Sequence, residues 1–542
     1  MRVKTGWAYT ERMRARTISL VTSVLACCWA LPAPAADASR PLWADLTPGP
    51  YSVGFRTLFS FDRSRTWKVT RGYTRPFAAD PVGRPVRISV WYPAGGSAGA
   101  TRMRYGAYVD IKAPPEFAAY NAIVTARDLL ISGLNVPKGS LPALLETPVN
   151  AQADATPASG RFPLILYCGG LGAATVDNIT LAEVLASYGF VVATVPMFGP
   201  SEVETGQVRN QIDIETTVRD LEFAAAFLQS LPDVDPAKLG VVGHSLGAVD
   251  AVLFGMRNQN VSAVVGLDGT YGFRGATTVL TGFYGFDLKQ MHAALLDLRR
   301  TETKIGPSAF ELDLSAVRSL HYAERTYVGL PTMFHADFTE FGVLARTFGF
   351  PPFADPNGRT YETAYRGYQS AVKITLAFLQ ANVNSEQQAA KRLRHEVSVL
   401  PGASFAHEPA LAPAPNAEEL LAIARDRGLA AALAIVDRYQ REAPGDTIVG
   451  EAAYNAQGYD LSARARHADA INALLIAIHV HPASANLADT LGDIYRAAGR
   501  PGDSRKAYLH ALELLPNDPG QNDAGKAELK AEIEGALRQL PP

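Results

Sequence analysis

The sequence predicts a mostly parallel, doubly wound α/β sheet followed by a small all-α domain of helical repeats. Two observations predict the sheet: short apolar runs alternate with helix-like segments from residue 162 to residue 267, and one run ends at a serine between two glycines. Strands buried on both faces of a parallel sheet are expected to be unbroken apolar runs. A third observation predicts the repeats, because similar residues recur every thirty-four positions after residue 457.

Length and charge limit the classes of protein that fit. At 542 residues the chain is longer than one hydrophobic core usually supports, so we expect at least two domains. Lys and Arg number 51 against 53 Asp and Glu, which leaves a net charge of −2 and no basic excess for a nucleic-acid partner. No metal-ligand or nucleotide-binding pattern stands out, so no cofactor is expected.

The first 36 residues are expected to be a signal peptide. Three arginines between residues 12 and 16 precede a mostly apolar stretch, residues 18–31, and small residues follow it. This order is typical of a secretory signal, and the stretch is short for a membrane span. An uncleaved anchor helix and lipidation at Cys27 are the alternatives. We therefore expect an exported protein, periplasmic or secreted, without a transmembrane span in the mature chain.

The α/β domain is expected over residues 41–394, and its elements follow in order. Residues 84–92 alternate between polar and apolar types and predict a strand. Residues 105–160 contain helix-like patches among prolines, and we interpret them as an insertion, either a lid over the site or a surface excursion without a role. Further apolar runs predict buried strands at 162–167, 190–195, 237–242, 261–267, 293–298 and 326–334. Helices are predicted at 179–188, 206–230, 248–256 and 361–382.

The segment Gly243-His-Ser-Leu-Gly247 directly follows the strand predicted at 237–242. A serine with glycines two positions away on each side, at a turn from strand to helix, is typical of a nucleophile elbow. So tight a turn leaves no room for side chains at the glycine positions, and it would lift the Ser245 hydroxyl clear of the sheet. The alternative interpretation is that Ser245 only caps a helix.

A serine nucleophile needs a base within hydrogen-bond reach and an acid that orients the base, and both are expected at strand ends after the serine. Of ten histidines, His335 is the one that follows an apolar run at its carboxyl end, and we interpret it as the base rather than as a surface residue. His244 is adjacent to the serine and would point away from it. Asp268 ends its apolar run and is favoured as the acid over Asp297, which lies within a later run.

Stabilising an oxyanion requires N–H donors near the serine. The backbone N–H of Leu246 follows the nucleophile directly, and the N–H of Leu171 lies in the glycine-rich loop after the strand at 162–167. We expect these two groups to form the oxyanion hole. The alternative role of the glycines around Leu171 is an ordinary tight turn.

The end of the chain has a different character. Residues 395–416 are rich in proline and alanine and predict a linker, and residues 417–542 predict alanine-rich helices. Gly458, Ala470, Leu474, Ala477 and Pro482 recur as Gly492, Ser504, Tyr508, Ala511 and Pro516. This pattern resembles the tetratricopeptide repeat, in which paired helices bury small residues against one another. The alternative is a helical tail without repeats.

Taken together, the motifs of the α/β domain resemble the α/β-hydrolase family of the platelet-activating factor acetylhydrolases and their bacterial esterase relatives. The similar segments are residues 162–173, 185–193, 243–247, 267–269 and 335–341. The resemblance implies an α/β-hydrolase fold, a triad of Ser245, Asp268 and His335, and an oxyanion hole at Leu171 and Leu246. It spans about residues 50–382.

One departure from that family concerns the oxyanion loop, where a His-Gly pair usually precedes the leucine and this chain has Gly169-Gly170. We expect an exported serine hydrolase that cleaves small-molecule or lipid carboxylic esters through an acyl-enzyme intermediate. An acyltransferase or a peptidase with the same triad is an alternative. Another is a binding protein with an inactive hydrolase body, whose repeats contact a protein partner or mediate self-association.

Overall fold

The computed structural model describes most of the chain. The described residues are 42–43, 45–68, 82–96, 101–203, 205–206, 210–275, 280–283, 285–301, 312–349, 359–444 and 446–541. The expected signal peptide, residues 1–36, lies outside them. None of the helices within these ranges is long and apolar enough to pass through a membrane.

The described residues form two compact units. The first contains those up to Arg318 together with Ala323–Pro409, and the second contains Ser319–Tyr322 together with those from Ala410 onward. The first unit is an α/β structure and the second is helical.

A ten-stranded sheet runs through the first unit. In chain order its strands are β1 (Ser52–Asp62), β2 (Arg84–Ala94), β3 (Ala151–Ala153), β4 (Phe162–Cys168), β5 (Val191–Thr194), β6 (Val234–His244), β7 (Val261–Leu267), β8 (Ala294–Arg300), β9 (Arg325–Leu330) and β10 (Ser404–Glu408). In space the order is β10-β9-β8-β7-β6-β4-β5-β2-β1-β3. Antiparallel pairing occurs between β1 and β2, β2 and β5, and β9 and β10, and the other neighbours are parallel. The predicted mostly parallel α/β sheet is therefore confirmed.

Helices flank the sheet. Those of the first unit are α1 (Gly106–Val109), α2 (Ala118–Leu134), α3 (Leu141–Leu145), α4 (Ile179–Ser187), α5 (Gln211–Gln229), α6 (Leu246–Arg257), α7 (Ser315–Arg318), α8 (Phe341–Phe348), α9 (Tyr361–Asn382) and α10 (Ala389–Ser398). The strongest sequence signals came from the central strands, because β4 and β5 are buried along their whole length and β7 along all but one residue. A strand that is buried on both faces is expected to have apolar residues at nearly every position.

The insertion at residues 105–160 contains α1, α2, α3 and β3. Its long helix α2 is joined to the sheet by an ion pair between Arg87 of β2 and Asp128, at 2.7 Å, and both side chains are almost completely buried. Helix α2 thus has a charged anchor in the interior of the unit, in addition to its packed apolar residues.

The expected linker at residues 395–416 differs from what the structure shows. Helix α10 continues to Ser398, and β10 pairs with β9 along five residues at the edge of the sheet. The irregular Pro/Ala-rich stretch is confined to residues 409–415. Strand β10 was not predicted because four of its five residues are exposed. An exposed strand carries no periodic pattern of apolar residues.

The second unit is a series of helices: α11 (Ala417–Arg427), α12 (Leu429–Glu442), α13 (Glu451–Ala463), α14 (His467–Val480), α15 (Ala485–Ala497), α16 (Pro501–Leu514) and α17 (Asp523–Gln539). The recurring positions meet across two helix pairs in the same way. Gly458 of α13 packs against Leu474 of α14, and Gly492 of α15 packs against the ring of Tyr508 in α16. Ala470, Ala477 and Ala511 are fully buried.

Candidate active site

Ser245 lies at a sharp turn between β6 and α6. Its backbone has φ 56° and ψ −119°, a conformation that residues with a side chain seldom adopt and that costs of order 1–3 kcal/mol. A Cβ atom at Gly243 would lie 2.1 Å from the carbonyl oxygen of Gly247. One at Gly247 would lie 2.3 Å from the carbonyl oxygens of Cys168 and Gly169. The two glycines are therefore required by the close approach of the backbone, as the sequence predicted.

The side chains of Ser245, His335 and Asp268 form a continuous hydrogen-bonded chain. The Nε2 atom of His335 is 2.8 Å from the Oγ atom of Ser245, and its Nδ1 atom is 2.6 Å from the Oδ2 atom of Asp268. Since a carboxylate only accepts, Nδ1 donates to Asp268, and the other ring nitrogen of a neutral imidazole is then free to accept from the serine. This is the arrangement in which a histidine can remove the serine proton.

The topology of the sheet brings these three residues together. Ser245 follows β6, Asp268 follows β7, and His335 follows β9 after a short connection and begins a 3₁₀ turn, His335–Phe338. These strands are parallel neighbours, with β8 between β7 and β9, so their carboxyl ends share one edge. The strand predicted at 326–334 ends at Leu330 in the structure, yet the histidine still reaches this edge.

Asp268 is held in an ionised state by its surroundings. It is 4% exposed, and burial alone would raise its pKa. The hydrogen bond and charge of His335, together with the charges of Arg300 and Arg299, outweigh burial and lower the pKa of Asp268. Arg300 supports it directly, since its backbone N–H is 3.3 Å from Oδ1 and its Nε atom is 3.3 Å from Oδ2. A charged acceptor is therefore always present for His335 at neutral pH.

The alternative acid, Asp297, has other partners. Its fully buried carboxylate accepts hydrogen bonds from the hydroxyl of Tyr271, at 3.1 Å, and from Arg299. No histidine of the described residues donates to it. The structure thus brings Asp268, and not Asp297, to His335.

The loop after β4 passes close over the serine. A Cβ atom at Gly170 would lie 3.1 Å from the Cβ atom of Ser245. The backbone N–H of Ala173 donates to the carbonyl of Gly170 at 3.0 Å, and Gly172 has φ 76°, so the loop turns tightly around Leu171. Within the described part of the chain, neither the N–H of Leu171 nor that of Leu246 donates to a protein acceptor. Both groups therefore remain available as donors.

Three side chains around Asp268 and His335 were not predicted as part of the site, and one of them, His244, was expected to point away from the serine. Phe273 lies with its ring centroid 6.0 Å from that of His335, and the guanidinium of Arg300 lies 5.6 Å from the Phe273 ring. His244 lies on the other side, 4.8 Å between ring centroids. Arg300 ends β8, so the rule that functional residues follow strand ends would have found it. Nothing local in the sequence indicates the other two contacts.

The described residues contain no group of three or more His, Cys, Asp or Glu side chains placed to hold a metal ion. The groups around Ser245 are those of nucleophilic acyl transfer: a hydroxyl, an imidazole, a buried carboxylate and free backbone N–H groups.

Comparison with solved structures finds many matching chains, and an esterase is among them. The chain resembles the ferulic acid esterase from Streptomyces cinnamoneus with a TM-score of 0.50 and 20% sequence identity, over 68% of this chain and 99% of that one. No protein-family model and no curated protein matches the sequence. The likeness establishes the fold of the first unit as that of the α/β hydrolases.

Proposed function

We propose that the protein is a serine hydrolase that cleaves carboxylic esters. The observation that carries the proposal is the hydrogen-bonded chain from Asp268 through His335 to Ser245, with distances of 2.6 and 2.8 Å. The esterase named in the comparison, and the motif resemblance to platelet-activating factor acetylhydrolases, agree with ester chemistry. The substrate class is a small-molecule or lipid carboxylic ester.

The chemistry follows from the roles that the geometry permits. His335 accepts the proton of Ser245 as the oxygen attacks the ester carbonyl, and the imidazolium that forms is stabilised by the charge of Asp268. The N–H groups of Leu171 and Leu246 would hold the oxyanion, and such a donor typically lowers the barrier by about 3 kcal/mol. His335 then protonates the departing alcohol, leaving an acyl-enzyme, and the same residue activates the water that releases the acid.

The rest of the chain supports an exported two-part protein. The basic, apolar and small-residue order of the first 36 residues is our reason for proposing a signal peptide and a periplasmic or secreted location. For the second unit we propose tetratricopeptide-like repeats, because Gly458 and Gly492 pack against Leu474 and Tyr508 at the same repeat positions. Its function in this proposal is to contact a protein partner or a second copy of the chain.

The proposal is tested with p-nitrophenyl acetate and a fluorophosphonate probe. Wild-type protein should hydrolyse the ester and take up one probe on the peptide that contains Ser245. Ser245→Ala should lose at least about 10³-fold in kcat/KM and all labelling, since removing a triad member typically costs more than that. Ser230→Ala is the matched control, because Ser230 is an exposed serine that donates only to the carbonyl of Phe227. Undiminished turnover by Ser245→Ala would overturn the proposal.

A further inference from the structure

His244, the residue before the serine, is hydrogen-bonded to the main chain of the triad histidine. Its Nε2 atom lies 3.1 Å from the backbone carbonyl oxygen of His335, and the two rings are tilted by 35° with their centroids 4.8 Å apart. A carbonyl oxygen can only accept a hydrogen bond, so Nε2 of His244 carries the hydrogen and donates it. The residue is 6% exposed, so water has little access to this bond.

The other ring nitrogen of His244 is not used. Its Nδ1 atom is buried and has no hydrogen-bond partner among the described residues, and the Oδ2 atom of Asp177 is 3.9 Å away. Burial, and then the charge of His335, lower the pKa of His244 to about 3. The ring is therefore neutral at neutral pH, with one donor directed at His335 and one idle acceptor. Substitutions can therefore test the roles of the two ring nitrogens separately.

The oxyanion loop rests on the same ring. A Cβ atom at Gly170 would lie 3.2 Å from Nδ1 of His244 and 3.1 Å from Cβ of Ser245, so a residue with a side chain there would press on both. Asp177, later in this loop, accepts with its main-chain oxygen from the N–H of Glu340, at 3.2 Å. His244 thus lies between the loop expected to bind the oxyanion and the segment that carries His335.

We infer that His244 is a positioning residue of the proposed esterase, which fixes His335 by holding its backbone carbonyl through the Nε2 hydrogen bond. The triad contact of 2.8 Å between His335 and Ser245 depends on where the backbone of His335 lies. A displacement of about 1 Å at a reacting group can reduce the rate roughly 10²-fold. Neither strand β6 nor strand β9 supplies this constraint by itself, since His335 is separated from Leu330 by four residues of loop. The inference rests on the proposed function.

Three substitutions separate this role from a general packing role. His244→Gln can place an amide N–H near the Nε2 position and should restore the bond to His335. His244→Asn reaches only the Nδ1 position, which has no partner, and His244→Leu provides no donor. We expect Leu and Asn to lower kcat for p-nitrophenyl acetate about 10- to 100-fold with KM within about twofold. We expect Gln to retain kcat within about threefold, and fluorophosphonate labelling rates should follow kcat.

His292→Leu serves as the control, since His292 is an exposed histidine. Equal kcat in the Asn and Gln variants would overturn the inference, and so would an unchanged kcat in the Leu variant. If thermal unfolding shows that the Leu variant is not folded, the comparison of the Asn and Gln variants, which both carry polar side chains, decides the question. The proposed function is judged separately by Ser245→Ala: loss of turnover there with normal turnover in the Asn variant contradicts only the role of His244.

Discussion

The carboxylate of Asp128 accepts two hydrogen bonds from Thr175, one from the backbone N–H at 2.8 Å and one from the hydroxyl. Asp128 belongs to helix α2 of the insertion, and Thr175 lies in the loop that follows Gly170. Arg87 of β2 donates to both side chains at 2.7 Å. A buried ionic cluster therefore joins the insertion to the loop after β4, which favours a fixed position of the insertion over a mobile lid.

Removing the Asp128 charge should weaken both stability and catalysis. Asp128→Asn leaves the Arg87 guanidinium buried without a counter-charge, and breaking a buried ion pair in this way typically costs about 3–5 kcal/mol. Urea unfolding should show this loss, and kcat for p-nitrophenyl acetate should fall because the loop around Leu171 loses an anchor. Asp110→Asn is the control, since its ion pair with Lys112 is exposed and worth less than about 1 kcal/mol. Equal unfolding free energies for the two variants would contradict the prediction.

The acid of the proposed triad can be identified by comparing two buried aspartates. Asp268→Asn removes the charged acceptor at 2.6 Å from Nδ1 of His335, so the imidazole loses both its fixed tautomer and the stabilisation of its charged form. We expect kcat to fall about 10³- to 10⁴-fold with little change in KM. Asp297→Asn should reduce stability through Tyr271 and Arg299 while changing kcat far less. A larger kcat loss at Asp297 would reverse the assignment.

Local sequence patterns predicted the central strands, and they also predicted that Ser245, Asp268 and His335 follow strand ends at one edge of the sheet. The run before Asp268 is apolar except for the half-buried Ser262, since β7 is otherwise buried, and the tight elbow around Ser245 admits only glycine at two positions. Strand β1 was not predicted because most of its residues are half-buried. Its sequence therefore shows neither an alternation of polar and apolar residues nor an unbroken apolar run. The strand predicted at 326–334 was too long by four residues, since apolar residues continue into the loop.

The contacts that support the site could not be predicted from the sequence, for a different reason. Asp128 and Thr175 are 47 positions apart, and His244 and His335 are 91 apart. Such contacts are created only when the sheet has assembled, and the residue types involved are common on surfaces. The insertion at 105–160 illustrates this point, because its composition allowed a lid or a surface excursion until its buried ion pair with Arg87 was visible.

The helical unit offers a test of the repeat packing. A Cβ atom at Gly492 would lie 2.5 Å from the ring of Tyr508, so Gly492→Ala must displace a fully buried tyrosine. Overpacking of this kind typically costs about 1–3 kcal/mol. Gly502→Ala is the matched control in helix α16, where nothing lies within 4 Å of the new atom, and it should be neutral or slightly stabilising. Thermal unfolding followed by circular dichroism measures both, and equal midpoints would argue against this packing.

Asp250 provides a prediction about pH. It lies in helix α6, fully buried, and neither of its carboxylate oxygens has a hydrogen-bond partner among the described residues. Burial raises the pKa of Asp250 well above its ordinary value of 3.8. The unfolded chain therefore releases this proton first as the pH rises. The contribution to stability is complete below the ordinary pKa and decreases toward the raised pKa, by up to about 1.4 kcal/mol per pH unit.

Asp250→Asn keeps the shape of the side chain and removes its ionisation, so the variant should gain stability relative to wild type as the pH rises from 4 to 8. The measurement is the unfolding free energy in urea at several pH values, taken as the difference between variant and wild type at each. Asp460→Asn, at an exposed carboxylate paired with Arg464, should give a nearly constant difference. A constant difference for Asp250→Asn as well would mean that its carboxyl ionises equally in both states, contrary to its burial without a partner.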